Sequence, residues 1–317
     1  MDFTGGITIS GGMVVTVQPP PPTQKAIFGY GFTNARVSMT NLVSITGIVS
    51  NDVTGVGTAR QALAAAGYGT DKAIFGYGNP SSGVYTAITN LVSNTGVVAT
   101  DTAGVGTGRF NLAAAGYGTD KAIFGYGSSD GGTTLVSITN KVSNTGIVAT
   151  DTTGVGTARQ SLAAAGYGTD KAIFGYGQTT GATPASMTNL VSNTGLVATD
   201  TTGVGTARYG PAAAGYGSTG QAIFGYGQNN SGRLSMTNLV SNTGVVATDT
   251  TGVGTIRNYL AAASYGTDTA IFGYGTTIGG IYYSLTNLVS NTGVVATDTT
   301  GVGTARSNLA AASYGYA

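Results

Sequence analysis

The sequence contains no histidine, cysteine, tryptophan or glutamate. Without His or Cys the usual nucleophile–base pairs cannot be assembled, and the thiolate and imidazole metal ligands are missing too. General acid–base chemistry would rest on aspartates that mostly recur in repeated turns. There is no disulfide framework, and cysteine usage says nothing about redox compartment. Charge is scarce as well: Asp, Lys and Arg together make up 8% of the chain, against roughly 25% in an ordinary soluble domain. The net charge is +1. The basic residues are scattered singly and form no stripe that could neutralise phosphates, so no nucleic-acid partner is expected. Runs of about 18 apolar residues are absent, which excludes a membrane-spanning helix. The opening MDFTGGITIS has no positively charged stretch before an apolar run, so no secretion signal and no membrane insertion are expected. A membrane β-barrel would share the richness in Gly, Tyr and Thr. An exported barrel needs a signal, however, and a strict long repeat is not its signature.

What the chain does hold is turn and strand formers. It has 54 Gly and 18 Tyr, and 41% of its residues are hydrophobic. With strong helix formers nearly missing, the composition predicts an all-β protein with many tight turns and enough apolar surface for a core.

Self-alignment decides the architecture. AIFGYG begins at Ala26, Ala73, Ala122, Ala172, Ala222 and Ala270. The Arg that closes GVGTAR, or its variants GVGTGR and GVGTIR, falls at Arg60, Arg109, Arg159, Arg208, Arg257 and Arg306, spaced by 49, 50, 49, 49 and 49 residues. Each copy splits into four strand-like pieces: LAAAGYG, KAIFGYG, SMTNLVSN and VVATD, followed by the turn-rich TTGVGTAR. Four short strands at a period near 50 make a propeller blade. The prediction is a six-bladed β-propeller with four antiparallel strands per blade over residues 25–317, preceded by an arm over residues 1–24. The Ala-rich piece suits the innermost strand, where room is least. The chain enters the repeat at the second strand and leaves it at the first. The C-terminal LAAASYGYA is therefore expected to complete the first blade and close the ring, hiding the edges. A linear solenoid would instead need polar end caps, and none is visible.

The AIFGYG strand and the recurrent Arg before LAAAGYG resemble kelch-type propellers, which carry an apolar strand ending in a double glycine and an Arg leading into the first strand. The likeness extends over all six copies. The family's Trp is missing, and Gly-Tyr-Gly stands for Gly-Gly. The run NLVSNTGVVATDTTGVGTAR also resembles highly regular repeat proteins encoded by bacteriophages. Copper oxidases built on kelch-like propellers need His ligands and a Tyr–Cys crosslink, which this composition rules out. Sialidase-like propellers use several Arg with Tyr and acidic partners. The six Arg recur once per repeat, however, which a single active site does not require. They read as structural, bonding carbonyls or an Asp between blades. Catalytic residues, cofactors and metals are not expected. The repeated aspartates (Asp52, Asp101, Asp151, Asp200, Asp249 and Asp298) can each cap their own turn. One per repeat is too few for a calcium site.

The positions that vary between copies form two sets. One follows AIFGYG, at residues 32–38, 79–87, 128–136, 178–185, 228–234 and 276–283. The other follows each Arg. In a four-strand blade both emerge at one end, where loops on a rigid scaffold carry recognition or simply drift. Phe32, Tyr85, Phe110, Tyr209, Tyr259, Tyr282 and Tyr283 are the candidate binding residues, because aromatic rings give flat apolar contact at low entropic cost. The arm reads as one or two strands (residues 5–18) and a polyproline spacer (19–24). It suits docking by strand addition, or an extra strand on the first blade. The function expected is a non-enzymatic adhesive or structural part of a phage particle such as a tail, fibre or capsid decoration. It is assembled in the host cytoplasm, held to other virion proteins by residues 1–24, and presents the variable face to a host-surface glycan or protein. A soluble multivalent carbohydrate-binding lectin, with pockets at the repeated positions, is the alternative, and a propeller enzyme a remote third.

Overall fold

The structure, a computed structural model, describes residues 24–315 and the backbone of Ile7–Ile9 and Met13–Val15. The polyproline spacer, up to residue 23, and the last two residues lie outside the described residues. The chain is all-β, with six three-stranded antiparallel sheets in a regular repeat. Sheets 2 to 6 each begin with an Ala-rich strand: Ala64–Tyr68, Ala113–Tyr117, Ala163–Tyr167, Ala212–Tyr216 and Ala261–Tyr265. The second strands are Lys72–Gly76, Lys121–Gly125, Lys171–Gly175, Gln221–Gly225 and Thr269–Gly273. The third strands follow the pattern of Thr89–Val92. Sheet 1 is made from both ends of the repeat region: Ala310–Tyr314 pairs with Lys25–Phe32, in a register running from Ala310↔Gly29 to Tyr314↔Lys25. Each first strand packs beside the first strand of the next sheet, and Ala310–Tyr314 packs beside both Ala261–Tyr265 and Ala64–Tyr68. Ile7–Ile9 and Met13–Val15 pair with each other and with no other described strand.

One glycine explains how closely the sheets approach. Phe174 of sheet 4 is fully buried, with its ring tip over Gly125 of sheet 3; a Cβ on that glycine would lie 2.8 Å from it. Phe75, Phe124, Phe224 and Phe272 sit the same way on Gly29, Gly76, Gly175 and Gly225, and Phe28 of sheet 1 sits on Gly273 of sheet 6. Glycine is the only residue that leaves this space. Each Phe also meets the Tyr of the preceding sheet, as in Tyr126–Phe174 with ring centres 5.2 Å apart. Full burial of each such ring contributes about 1.5–3 kcal/mol.

The fourth strand differs from expectation. The VVATD segment does not form a continuous ladder but touches the third strand at isolated bridges, Val92↔Val98 and Thr89↔Thr102 in sheet 2. The cause is the asparagine between them. Asn90 Nδ2 donates to the Ala99 carbonyl (3.0 Å) and to Asp101 Oδ1 (2.9 Å), so a side chain stands where a backbone donor would continue the ladder. The sum of paired residue numbers shifts by one across the two bridges, the mark of a bulge. The same Asn bonding recurs at Asn41, Asn140, Asn189, Asn238 and Asn287.

Candidate binding face

Each repeat reverses direction four times, twice at each end, which gives the molecule two unlike ends. The first and second strands are joined by a tight hairpin at one end, whereas the segments after the second strand and after the Arg lie at the other. The Arg residues hold the sheets in place between these ends. Arg159 is fully buried. Its Nε donates to the Tyr176 carbonyl (2.9 Å), Nη1 to the Thr157 carbonyl (3.2 Å) and Nη2 to Asn189 Oδ1 (2.7 Å). The guanidinium carbon lies 4.4 Å from the centre of the Tyr126 ring of sheet 3, a desolvated cation–π contact. Arg159 thus ties sheet 3 to sheet 4. Arg60, Arg109, Arg208, Arg257 and Arg306 stand at the equivalent junctions. Arg306 covers Tyr274 of sheet 6 and bonds Tyr30 and Asn41 of sheet 1. In Arg208 and Arg257 the buried Nε has no partner.

The repeated aspartates do not cap their own turns. Asp200 accepts from Thr157 N (2.9 Å) and Oγ1 (2.6 Å), in the connection that leads into its sheet, and from Asn189 Nδ2 (2.9 Å). Arg159 Nη1 is 3.8 Å away. Partial burial pushes the Asp200 carboxyl up, but the bonds from Thr157 and Asn189 and the nearby Arg159 charge outweigh it and hold the group below its ordinary range. Burial pushes the Tyr77, Tyr126, Tyr226 and Tyr274 phenols up to about 12, against the opposing pull of the adjacent Arg. Among the described residues no three acidic side chains converge as metal ligands. Being buried and bonded, the guanidiniums are closed to an incoming anion.

At the loop end the two variable segments lie side by side. The residue after each Arg forms a bridge to the start of the segment after AIFGYG: Gln61↔Asn79, Phe110↔Ser128, Gln160↔Gln178, Tyr209↔Gln228, Asn258↔Thr276 and Phe32↔Ser307. The next residues inward, Ala62, Asn111, Ser161, Gly210, Tyr259 and Asn308, all have positive φ, between 51° and 63°. This geometry aims each N–H at the neighbouring repeat. Asn111 N donates to Ala62 O, Ser161 to Asn111, Gly210 to Ser161, Tyr259 to Gly210, Asn308 to Tyr259 and Ala62 to Asn308, all at 2.7–2.9 Å. The sixth bond returns to the residue where the first began. These residues surround a shallow depression of about 70 Å³.

All seven candidate aromatic residues are half-buried and lie around this end. Tyr85 and Phe110 stack with ring centres 4.9 Å apart and planes 18° apart. Phe32 meets Tyr282 edge-on at 6.2 Å, and Tyr209 meets Tyr259 at 6.4 Å. Each pair joins neighbouring repeats. Tyr283 enters no aromatic pair among the described residues. Burial pushes the Tyr259 phenol up, and Tyr209 Oη accepts from Gln228 Nε2 at 2.7 Å. Sequence reasoning missed Arg36 and Arg233, which join adjacent loops. Arg36 Nε and Nη2 donate to Asn79 Oδ1 (3.1 and 2.5 Å), and Arg233 Nε donates to Asn258 Oδ1 (3.1 Å). The available signal was that these two arginines fall outside the 49-residue spacing. A comparison with protein-family models finds no match, and neither does a comparison with curated proteins.

Proposed function

We propose that the six sheets are the blades of a closed, kelch-like six-bladed β-propeller serving as a non-enzymatic adhesive component of a phage particle. The ring is supported by the inter-repeat bonds at positions 62 to 308 and by the pairing of Ala310–Tyr314 with Lys25–Phe32. The observation that carries the adhesive reading is the confinement of variation. The repeated side chains are spent on joining sheets, while the two variable segments sit together at one end with half-buried aromatic pairs between them. A rigid frame with adaptable loops and flat apolar rings is a general design for recognition. Gln24 lies at the opposite, hairpin end, where its carbonyl accepts from Gly266 N. Residues 1–24 are proposed to tether the protein to other virion proteins, and the loop end to meet a host-surface glycan or protein. A lectin with one pocket per repeat has weaker support, because the repeated Arg, Asn and Asp groups already bond each other.

Replacing all seven aromatics with Ser is expected to abolish adsorption of the purified protein to host cells while leaving the chain folded, as checked by circular dichroism. Unaltered adsorption overturns the adhesive reading. Mass spectrometry of purified particles checks the phage assignment.

A further inference from the structure

The hairpin end carries a funnel of about 530 Å³, a size in the range of small-molecule sites, about 300–1,000 Å³. Its throat is built from the Gly or Ser of each first strand, and its mouth from the hairpins. The rim is held rigid from repeat to repeat: Gly118 N donates to Asp170 O and Gly168 N to Gly220 O, both at 2.7 Å. Three successive hairpins present the same ion pair. Lys72 Nζ lies 2.6 Å from Asp71 Oδ1, Lys121 2.7 Å from Asp120, and Lys171 2.9 Å from Asp170. The far wall breaks the pattern, with Gln221, Thr269 and the unpaired-by-lysine Asp268 in the same places.

We propose that this funnel binds a short neutral oligosaccharide. A Lys–Asp pair held this close is a poor trap for an anion, because the carboxylate already balances the ammonium. The ammonium of each pair lines the funnel while its partner carboxylate does not, so the pair offers charge-balanced donors to a ligand's hydroxyl oxygens. Lys Nζ keeps two N–H groups for such a partner, and Asp268, which lines the far wall, supplies acceptor oxygens. The throat adds acceptors: Ser264 Oγ donates to the Gly215 carbonyl and Ser313 Oγ to the Ser264 carbonyl, each at 2.7 Å, which leaves both hydroxyl oxygens able to accept. Serine appears there only in sheets 6 and 1, opposite sheets 3 and 4 with their Lys–Asp pairs, so the ligand is received in one orientation. The site is separate from the loop end and does not depend on the adhesive reading.

The test is a printed array of neutral, sialylated and sulfated oligosaccharides probed with the fluorescently labelled full chain. The parent protein is compared with D120N/K121M and with Y85S/F110S. Neutral oligosaccharides are expected to bind the parent. Their affinity is expected to fall about tenfold or more in D120N/K121M and to stay the same in Y85S/F110S. Should the double variant fail to fold, chemical-shift changes at Thr119, Lys121 and Ser313 of the parent on adding the array's best neutral binder serve instead. No neutral binder, a preference for sulfated or sialylated glycans, full binding by D120N/K121M, or shifts confined to the loop end overturns the proposal.

Discussion

The two ends of the molecule are built from the same repeat and treat it differently. At the hairpin end the sequence is nearly constant, and GTDK recurs in three successive hairpins with small departures in the others. At the loop end no two copies agree, yet the second residue after each Arg keeps one backbone conformation in all six. Residues as unlike as Gly210, Ser161 and Tyr259 share one positive φ and one inter-repeat hydrogen bond. A non-Gly residue in that conformation costs of order 1 kcal/mol or more, and the packed frame beneath imposes it. The Arg–Tyr–Asn–Asp junctions fix the backbone, and the side chains at the rim are thereby released from structural duty.

The largest effect that would break this contrast is loss of the C-terminal strand. Deleting residues 309–317 removes Ala310–Tyr314 from sheet 1 and leaves Lys25–Phe32 as an open edge. Denaturant unfolding is expected to show a loss of about 5 kcal/mol or more. A truncated chain that unfolds like the full one would refute the role given to that strand. Next is Arg159→Ala, which leaves Asn189 and the Tyr176 carbonyl without their buried partner. It is expected to cost about 3–5 kcal/mol, whereas Arg233→Ala, at the loop end, should stay within about 1 kcal/mol. Smaller again is Gly125→Ala, whose methyl group would meet the Phe174 ring at 2.8 Å; overpacking of this kind costs about 1–3 kcal/mol. Gly181→Ala at the loop end would meet nothing within 4 Å. There only the positive φ of 74° opposes it, and the cost is about 1 kcal/mol.

The dependence on pH sharpens the same contrast, because the junction carboxyls and phenols are displaced from their ordinary ranges. The six junction carboxyls are held below their ordinary range when folded, so the unfolded chain takes up protons first as the pH falls below about 4, and stability drops there. The junction phenols, raised to about 12 at Tyr77, Tyr126, Tyr226 and Tyr274, release their protons later than in the unfolded chain. Their contribution is complete below about pH 10 and is lost as the pH rises towards 12. With no His and no Cys, the midpoint of urea unfolding is expected to be flat between about pH 5 and 8.

Much of the fold could be read from the sequence because the repeat is so regular. The six Arg, the Ala-rich strands and the match between the C-terminal LAAASYG and the first sheet all follow from self-alignment. The fourth strand was misread because VVATD has the right pattern, while the side chain that interrupts its ladder, such as Asn90, lies in the strand before. Asn and Asp stand eleven residues apart in all six copies, as at Asn90 and Asp101, and that constant spacing was the signal for the bulge and for aspartates that leave their own turns. The close approach of Phe174 to Gly125 was hidden because the two residues lie in different repeats. The aromatic pairs at the loop end join segments from different repeats, so only the juxtaposition of the repeats reveals them. The funnel was invisible for the same reason, since each hairpin contributes only a few residues to it.

Arg109 and Phe110 are neighbours in the chain and stand in opposite places in this structure, one at a buried junction and the other on the loop end proposed for recognition. Melting temperature and host-cell adsorption measured together for Arg109→Ala and for Phe110→Ser with Tyr85→Ser separate the two. The arginine variant is expected to melt many degrees lower. The aromatic variant is expected to melt with the parent and to adsorb poorly. An aromatic variant that loses as much stability as the arginine variant, or that adsorbs as well as the parent, would contradict the division between a repeated frame and a recognition end.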